Sequence, residues 1–224
     1  MRLSIIVPVL NEATALPDTL DGLRGLRTAG HEVIVVDGGS TDGSVALARS
    51  RADRVIEAPV GRARQMNAGA ALASGDVLLF LHADTHLPKD AADVILAGLD
   101  SGRHDWGRFD VRLSGRHPML RVVEFMINLR SRLSGIATGD QAIFVRRALF
   151  QRVGGFPDIP LMEDIALSRA LKRLGPPLCL KIRAVTSSRR WERHGLLRTI
   201  LLMWRLRLLH ALGVPAETLA RHYR

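Results

Sequence analysis

Residues 77–81, VLLFL, are apolar without interruption and give way at once to His82-Ala83-Asp84-Thr85. An apolar run of this length, bounded by polar residues, reads as a strand buried on both faces, the pattern of a parallel sheet. Ligands of such sheets bind outside the carboxyl ends of the strands. His82 and Asp84 fall at that end two residues apart, and in extended backbone that spacing points both side chains the same way. An imidazole and a carboxylate so placed can hold a divalent metal or a polar ligand. They can equally cap the next turn.

The rest of the first half repeats the pattern. Residues 4–10 form an apolar strand in which Pro8 argues for a sheet edge or a strand end. Leu16, Leu20 and Leu23 recur at helical spacing, residues 33–36 are a second buried strand, 45–52 a short helix and 54–58 a third strand. Residues 61–73 are a helix rich in small side chains, leading into the strand at 77–81. Strand and helix alternate over about 85 residues, the sign of an α/β fold with a parallel sheet.

Further on, residues 90–99 read as a helix. Phe109, Val111 and Leu113 alternate with Arg108, Asp110 and Arg112, which reads as a half-exposed strand at an edge or in antiparallel pairing. Residues 120–133 have helical spacing, 142–145 are a short strand, 148–153 one or two helical turns, 163–174 a helix with an acidic start, and 178–185 a last extended segment. No repeat or Ser/Gly-rich linker divides the chain. The reading is one domain over residues 1–188, whose first half runs to about residue 88 and second from 89, and a basic helical appendage over 189–224.

Composition narrows the function. The chain has 224 residues and a formal charge of +10, and residues 189–224 alone hold eight Arg against two Glu. A basic surface favours an anionic partner. Nucleic acid is not expected, because ten aromatic residues spread along the chain give no interleaved stacking platform. The lone Cys179 excludes an internal disulfide and fits a cytoplasmic setting. The apolar run at residues 5–10 is too short for a signal peptide, and Arg198, Arg205 and Arg207 break residues 196–214 as a membrane span.

Three strand ends carry polar groups: Asn11-Glu12, Asp37 and His82/Asp84. In a parallel sheet these line one rim, as a binding site requires. Asp37 is followed by Gly38-Gly39-Ser40-Thr41-Asp42-Gly43, whose glycines let backbone approach a ligand; its carboxylate can accept from a base or ribose donor or form the turn itself. Neither a P-loop nor a Gly-x-Gly-x-x-Gly signature is present.

The ordered set IIVPVLNEATAL, VIVVDGGSTDGS, a strand ending in HAD, GGF and MEDIALSRALKRLG resembles family 2 glycosyltransferases of the GT-A fold, over residues 4–175. LFLHADT and RFDVRLSG further resemble a bacterial subgroup labelled arsenosugar-biosynthesis-like glycosyltransferases. The resemblance implies an α/β GT-A fold with a mostly parallel central sheet, and transfer of a sugar, with inversion, from a nucleoside diphosphate (UDP favoured) to an unidentified hydroxyl. It makes the half to about residue 88 the nucleotide-sugar half and the half from 89 the acceptor half. Pro8, Asn11 and Glu12 would border the nucleotide, and Asp37 with Gly38 would hold the base. His82-Ala83-Asp84 stands in place of the family's Asp-x-Asp motif, with Asp84 matching the last carboxylate and His82 departing from the first. Together they would hold Mn²⁺ or Mg²⁺. Glu163-Asp164 corresponds to the catalytic acidic pair, with Asp164 as base and Glu163 beside it.

Other candidates surround these. Arg62 and Arg64 open a helix whose N-terminus favours anions, with Gln65 and Asn67 nearby as supplements. Asp140 and Gln141 precede a strand on the acceptor side and either bind acceptor hydroxyls or form a polar turn. Arg189, Arg190 and Trp191 resemble the Gln-x-x-Arg-Trp motif of processive members, with Ser187 where Gln would stand; an arginine there could clamp the diphosphate. Leu197, Ile200, Leu201, Trp204, Leu208 and Ala211 share one face of the last helix, flanked by Arg198 and Arg205. Such a stripe packs on its own domain, on a second subunit in a homodimer, or peripherally on the inner face of a membrane. A nucleotidyltransferase, a catalytically silent scaffold and a nucleic-acid-binding module are the competing readings.

Overall fold

The structure, a computed structural model, describes residues 1–223, apart from the side chains of His194, Ala211 and Tyr223. The elements run β1 (Leu3–Val9), α1 (Leu16–Gly22), α2 (Arg24–Thr28), β2 (Glu32–Asp37), α3 (Ser44–Arg49), β3 (Arg54–Glu57), α4 (Arg62–Leu72) and β4 (Val77–Phe80). Next come β5 (Thr85–His86), α5 (Ala91–Asp100), β6 (Trp106–Leu113), α6 (Pro118–Ser134), β7 (Phe144–Arg146), α7 (Arg147–Arg152) and α8 (Glu163–Lys172). The chain closes with β8 (Leu178–Thr186), α9 (Arg189–His194), α10 (Leu196–Ala211) and α11 (Ala216–Tyr223).

One sheet holds all eight strands in the order β3-β2-β1-β4-β7-β6-β8-β5. The four strands at one end are parallel; β7 turns antiparallel to β4 and β6, while β6 and β8 are again parallel. The apolar runs are continuous because alternate residues serve two cores. Leu3, Ile5, Val7, Val33, Val35 and Leu79 face α1, α3 and α5. Ile6, Ile34, Val36, Leu78 and Phe80 face α4, α7 and α8, with Phe80, Phe150 and Phe156 in edge contacts. The sheet is sandwiched between helical layers, and its polar groups are left to the strand ends.

Two expectations need correction. Pro8 sits in an interior strand; β1 pairs with β4 only from Leu3 to Ile6, so proline lies past that ladder's last pair, at a strand end and not at a sheet edge. The strand around Phe109 does pair antiparallel with β7, but it is interior and not at an edge, lying between β7 and β8, and Arg108 is fully buried. Its guanidinium bonds Asp110 and the Asn128 carbonyl, and Arg132 reaches Asp110 from α6, so paired charges occupy positions that read as wet. The amphipathic helix read near residues 196–212 is α10, and among the described residues of the appendage α9 and α11 flank it: Trp191, Leu196 and Ile200 pack on Leu113, Leu120 and Val123, and Leu206 and Leu219 pack on Leu161, Met162 and Ile165.

Helix α4 approaches the sheet closely at Gly69, where a Cβ would lie 2.6 Å from Ile6 Cγ2 and 2.9 Å from Val36 Cγ2. Both neighbours are fully buried β-branched residues with no room to move. Gly69→Ala should therefore lower unfolding free energy by about 1–3 kcal/mol in urea titration, although alanine is the better helix former.

Candidate functional site: a rim of strand ends

Three non-glycine residues among those described have positive φ: Asn11 (55°), Ala142 (47°) and Met162 (69°). Each stands next to a polar group that the sequence singles out: Glu12, the 139–141 turn and Glu163. Strained backbone of this kind persists where surrounding structure over-determines it, and it concentrates at functional sites.

The base of the rim is built from β1 and β2. Gln65 donates to Val9 O (2.8 Å) and Val36 O (2.9 Å), tying the two strand ends together from α4. Asn11 Oδ1 accepts from Thr41 N (2.8 Å), and Asn11 N donates to Ser40 Oγ (2.9 Å). Asp37 Oδ2 accepts from Gly39 N and Ser40 N, forming the turn, while its Oδ1 is buried with no partner. A buried acceptor left open is costly unless a ligand donor completes it. Gly38 is held by Val9 O, and a Cβ there would press on the Gln65 amide at 3.0 Å.

The tip of β4 is a turn and not extended backbone, since Thr85 N donates to His82 O at 3.1 Å. The spacing argument for parallel side chains therefore fails, and His82 and Asp84 have different surroundings. His82 lines a small cavity with Met66, Phe80, Gly139, Ile143, Phe156, Glu163 and Asp164. Burial, with the charge of Arg62, pushes its pKa down to about 3, so it is neutral. Asp84 lies beside Arg189, whose guanidinium reaches both Glu12 oxygens at 3.0 Å and Asp84 Oδ2 at 3.4 Å. Burial pushes the Asp84 carboxyl up, against the pull of Arg189 and Arg62.

Residues 139–141 form a 3-10 turn against α8. Asp164 accepts from Gly139 N (2.8 Å) and from Ile165 N (2.7 Å). Burial raises both members of the acidic pair; Glu163 reaches about 7 through burial and then the charge of Asp164. With two backbone donors on it, Asp164 is the member that holds the negative charge.

Several residues are placed elsewhere than expected. Arg64 pairs with Asp158, and Asn67 is tied to the backbone of Phe156 in both directions, so neither is held ready for phosphate. Gln65 serves the strand ends. Gln141 is fully buried and closes a capping box with Thr138, which turns it away from an acceptor. Trp191 belongs to the α6–α10 apolar cluster. Asp140 keeps a buried, unpartnered Oδ1. Arg62 acts electrostatically on His82, Asp84, Glu163 and Asp164 at once.

Arg130 escaped the sequence reading. Its Nε and Nη2 are buried without partners, and burial, helped by Arg207, lowers its pKa to about 10 while Asp140 and Asp164 oppose the shift. On α6 it reads as one more wet arginine, and no local signal marks it.

Among the described residues no three His, Cys, Asp or Glu side chains gather as a ready metal cluster. The position between Glu12 and Asp84 nevertheless attracts a cation, as Arg189 shows, and a buried carboxylate with a raised pKa is stabilised in its charged form by one. Asp84 therefore fits as a protein ligand to a hard divalent ion completed by phosphate oxygens, the arrangement Mg²⁺ favours.

Comparison with known proteins agrees with this architecture. The model of the family described as "Glycosyl transferase family 2" matches residues 4–153. A PGL/p-HBAD biosynthesis glycosyltransferase of Mycobacterium tuberculosis is 32% identical over 164 residues, covering 68% of this chain and 62% of its own. This chain thus spans about three fifths of that relative's length. Among solved structures, S. aureus TarS 1-349 in complex with UDP-GlcNAc superposes with a TM-score of 0.69 at 21% identity, over 84% of this chain and 58% of that one. Glucosyl-3-phosphoglycerate synthase from Mycobacterium tuberculosis, in complex with Mn²⁺, UDP and phosphoglyceric acid, gives 0.65 at 20% identity, over 96% and 79%. The fold is that of the GT-A glycosyltransferases. The chain belongs to glycosyl transferase family 2.

The raised acid makes a stability prediction. Glu163 unfolded ionises near its ordinary 4.5, whereas folded it keeps its proton to about 7. Stability from this group is thus full below the unfolded value and is lost as pH rises to the folded one. The neutral Glu163→Gln variant escapes that loss. Its stability relative to the parent should improve by on the order of 2 kcal/mol between acidic and neutral pH in urea unfolding. A difference that stays constant with pH contradicts the protonated acid.

Proposed function

We propose that the chain is an inverting, metal-assisted glycosyltransferase that moves a sugar from a nucleoside diphosphate, UDP favoured, to a hydroxyl acceptor. The observation that carries this is the buried Glu163–Asp164 pair, which shares a cavity with His82 at the end of β4. Support for the donor class comes from the family and from the UDP-GlcNAc and UDP complexes of the structural neighbours.

In this reading the open Oδ1 of Asp37 accepts from the base, with Gly38 beside it and Pro8 and Asn11 bordering the nucleotide. Asp84 would hold the divalent ion, which would offset charge on the diphosphate. Arg62 and Arg189 supply further positive charge to the same oxygens. His82, neutral and packed against Gly139, shapes the wall between donor and acceptor sides.

Asp164 takes the acceptor's hydroxyl proton as that oxygen bonds to the anomeric carbon. The sugar–diphosphate bond breaks on the opposite face, and its electron pair leaves with the diphosphate. A base must be ionised, and the two N–H groups on Asp164 keep it so, while Glu163 carries the proton and can donate to the acceptor. Asp140, whose Oδ1 is buried and unpartnered, receives an acceptor hydroxyl in this reading.

The test is a donor panel of UDP-, GDP- and dTDP-sugars with Mn²⁺ or Mg²⁺, read by calorimetry and by donor turnover. Asp164→Asn should keep nucleotide affinity within about twofold and lower kcat by about 10²–10⁴. Glu163→Gln should retain most turnover, and Asp84→Asn should lose metal-dependent affinity. Because the Asp164 pKa is raised, kcat should fall at a higher pH on the acid side than an ordinary aspartate would give. Absence of affinity for any nucleoside diphosphate with metal overturns the reading.

A further inference from the structure

Helix α10 is apolar nearly all round. One side packs inward: Ile200 joins the cluster on α6, and Leu206, with Leu202, Met203 and Leu209, joins the cluster on α8 and α11. On the opposite side Leu197, Leu201, Trp204, Leu208 and Leu212, spaced at three and four residues, are 61–72% exposed. Helix α6 repeats this arrangement. Leu120, Val123 and Ile127 pack inward, whereas Val122, Phe125, Met126, Leu129 and Leu133 face outward, with Leu133 80% exposed. Two neighbouring helices, joined through one cluster, thus each present an apolar row to solvent, far more than a monomer's scattered surface leucines.

The charges beside these rows have one sign. Arg198 and Arg205 are exposed along the edge of the α10 row. Beside the α6 row, Phe125 and Leu129 form part of the wall of a groove of about 530 Å³ whose surplus charge is that of Lys181 and Arg183, since Arg121 and Arg132 there are paired with Glu124 and Asp110. Its two acids are already engaged, Asp110 by Arg108 and Arg132, Glu124 by Arg121 and Leu113 N. Helix α10 contains no acidic residue, and the one acid of α6, Glu124, is buried. A second copy related by a two-fold axis would set these arginine-flanked faces against each other without counter-charge. No described helix is long and apolar enough to cross a membrane.

We infer that the outward faces of α6 and α10 seat the protein on an anionic lipid surface, with Trp204 and the leucines in the headgroup–acyl boundary and the flanking arginines on lipid phosphates. Apolar area and basic charge act together in such binding, and a tryptophan suits the boundary.

The experiment is co-sedimentation of the full chain with vesicles of phosphatidylcholine alone, or of phosphatidylcholine with about one third phosphatidylglycerol. The parent should pellet with anionic vesicles and little with neutral ones, and its tryptophan emission should shift to the blue. That shift should vanish in Trp204→Phe, since Trp106 is buried and Trp191 is packed. Leu201→Glu should lower the bound fraction about tenfold or more. The double variant Arg198→Ser/Arg205→Ser should lose the preference for anionic lipid. All variants should melt like the parent and bind nucleotide like it, which separates failure of this inference from failure of the proposed activity. Equal binding to both vesicle types, or a dimer in lipid-free buffer that Leu201→Glu dissociates, overturns it.

Discussion

A strand buried on both faces takes a polar side chain along its length only where a partner satisfies it, and this constraint organises the whole molecule. In β1, β2 and β4 the apolar residues divide between two cores, and the one buried polar pair at the start of β1 and β2, Ser4 and Glu32, is satisfied by its own hydrogen bond and by Ser74, so the remaining charged groups fall at or beyond the last ladder pair. Parallel pairing of these three strands puts their carboxyl ends on the same side. Asn11-Glu12, Asp37 and Asp84 therefore belong to one rim without any element dedicated to gathering them. Gln65 completes the arrangement from α4 by capping the carbonyls of both β1 and β2.

The chemistry of that rim follows from incomplete desolvation balance. Acids there are buried enough to be pushed toward the neutral form, as Asp84, Glu163 and Asp164 are, yet each faces a source of positive charge. Arg189 answers Glu12 and Asp84; backbone N–H groups answer Asp164; Arg62 acts on all three raised acids. Arg130 is the mirror case, a buried cation with unpartnered nitrogens held between Asp140 and Asp164 on one side and Arg207 on the other. Opposed buried charges of this kind stabilise the fold poorly, because desolvation offsets their attraction. They do keep groups poised to respond to an arriving anion or cation.

How much of this was legible in the sequence depends on how local the signal is. The first four strands and their intervening helices could be read directly, since period and burial there are decided by neighbours in sequence. The strand β6 could not: Arg108 and Asp110 alternate with apolar residues as in a half-wet strand, and only Arg132 and Asn128, some twenty residues away, make their burial tolerable. Gln141 and Trp191 stood beside motif residues and looked functional by proximity, whereas one closes a capping box and the other fills a cluster. His82 and Asp84 show the reverse. Their identity was informative, but the geometry inferred for them assumed extended backbone, and a turn at Thr85 separates their surroundings.

The same reasoning extends to the basic charge. A formal +10 invites a single explanation, yet the arginines divide by environment. Arg62, Arg130 and Arg189 act within or beside the rim, Arg108 and Arg132 neutralise Asp110 inside the α/β body, and Arg198 and Arg205 border apolar rows facing outward. The last group has no acid on its own helix. Helix α10 connects the two outer environments: its inner face rests on the segment that leads into Glu163, through Leu161, Met162 and Ile165, while its outer face is the apolar row. One helix thus both packs the segment that leads into the Glu163–Asp164 pair and carries the exposed row.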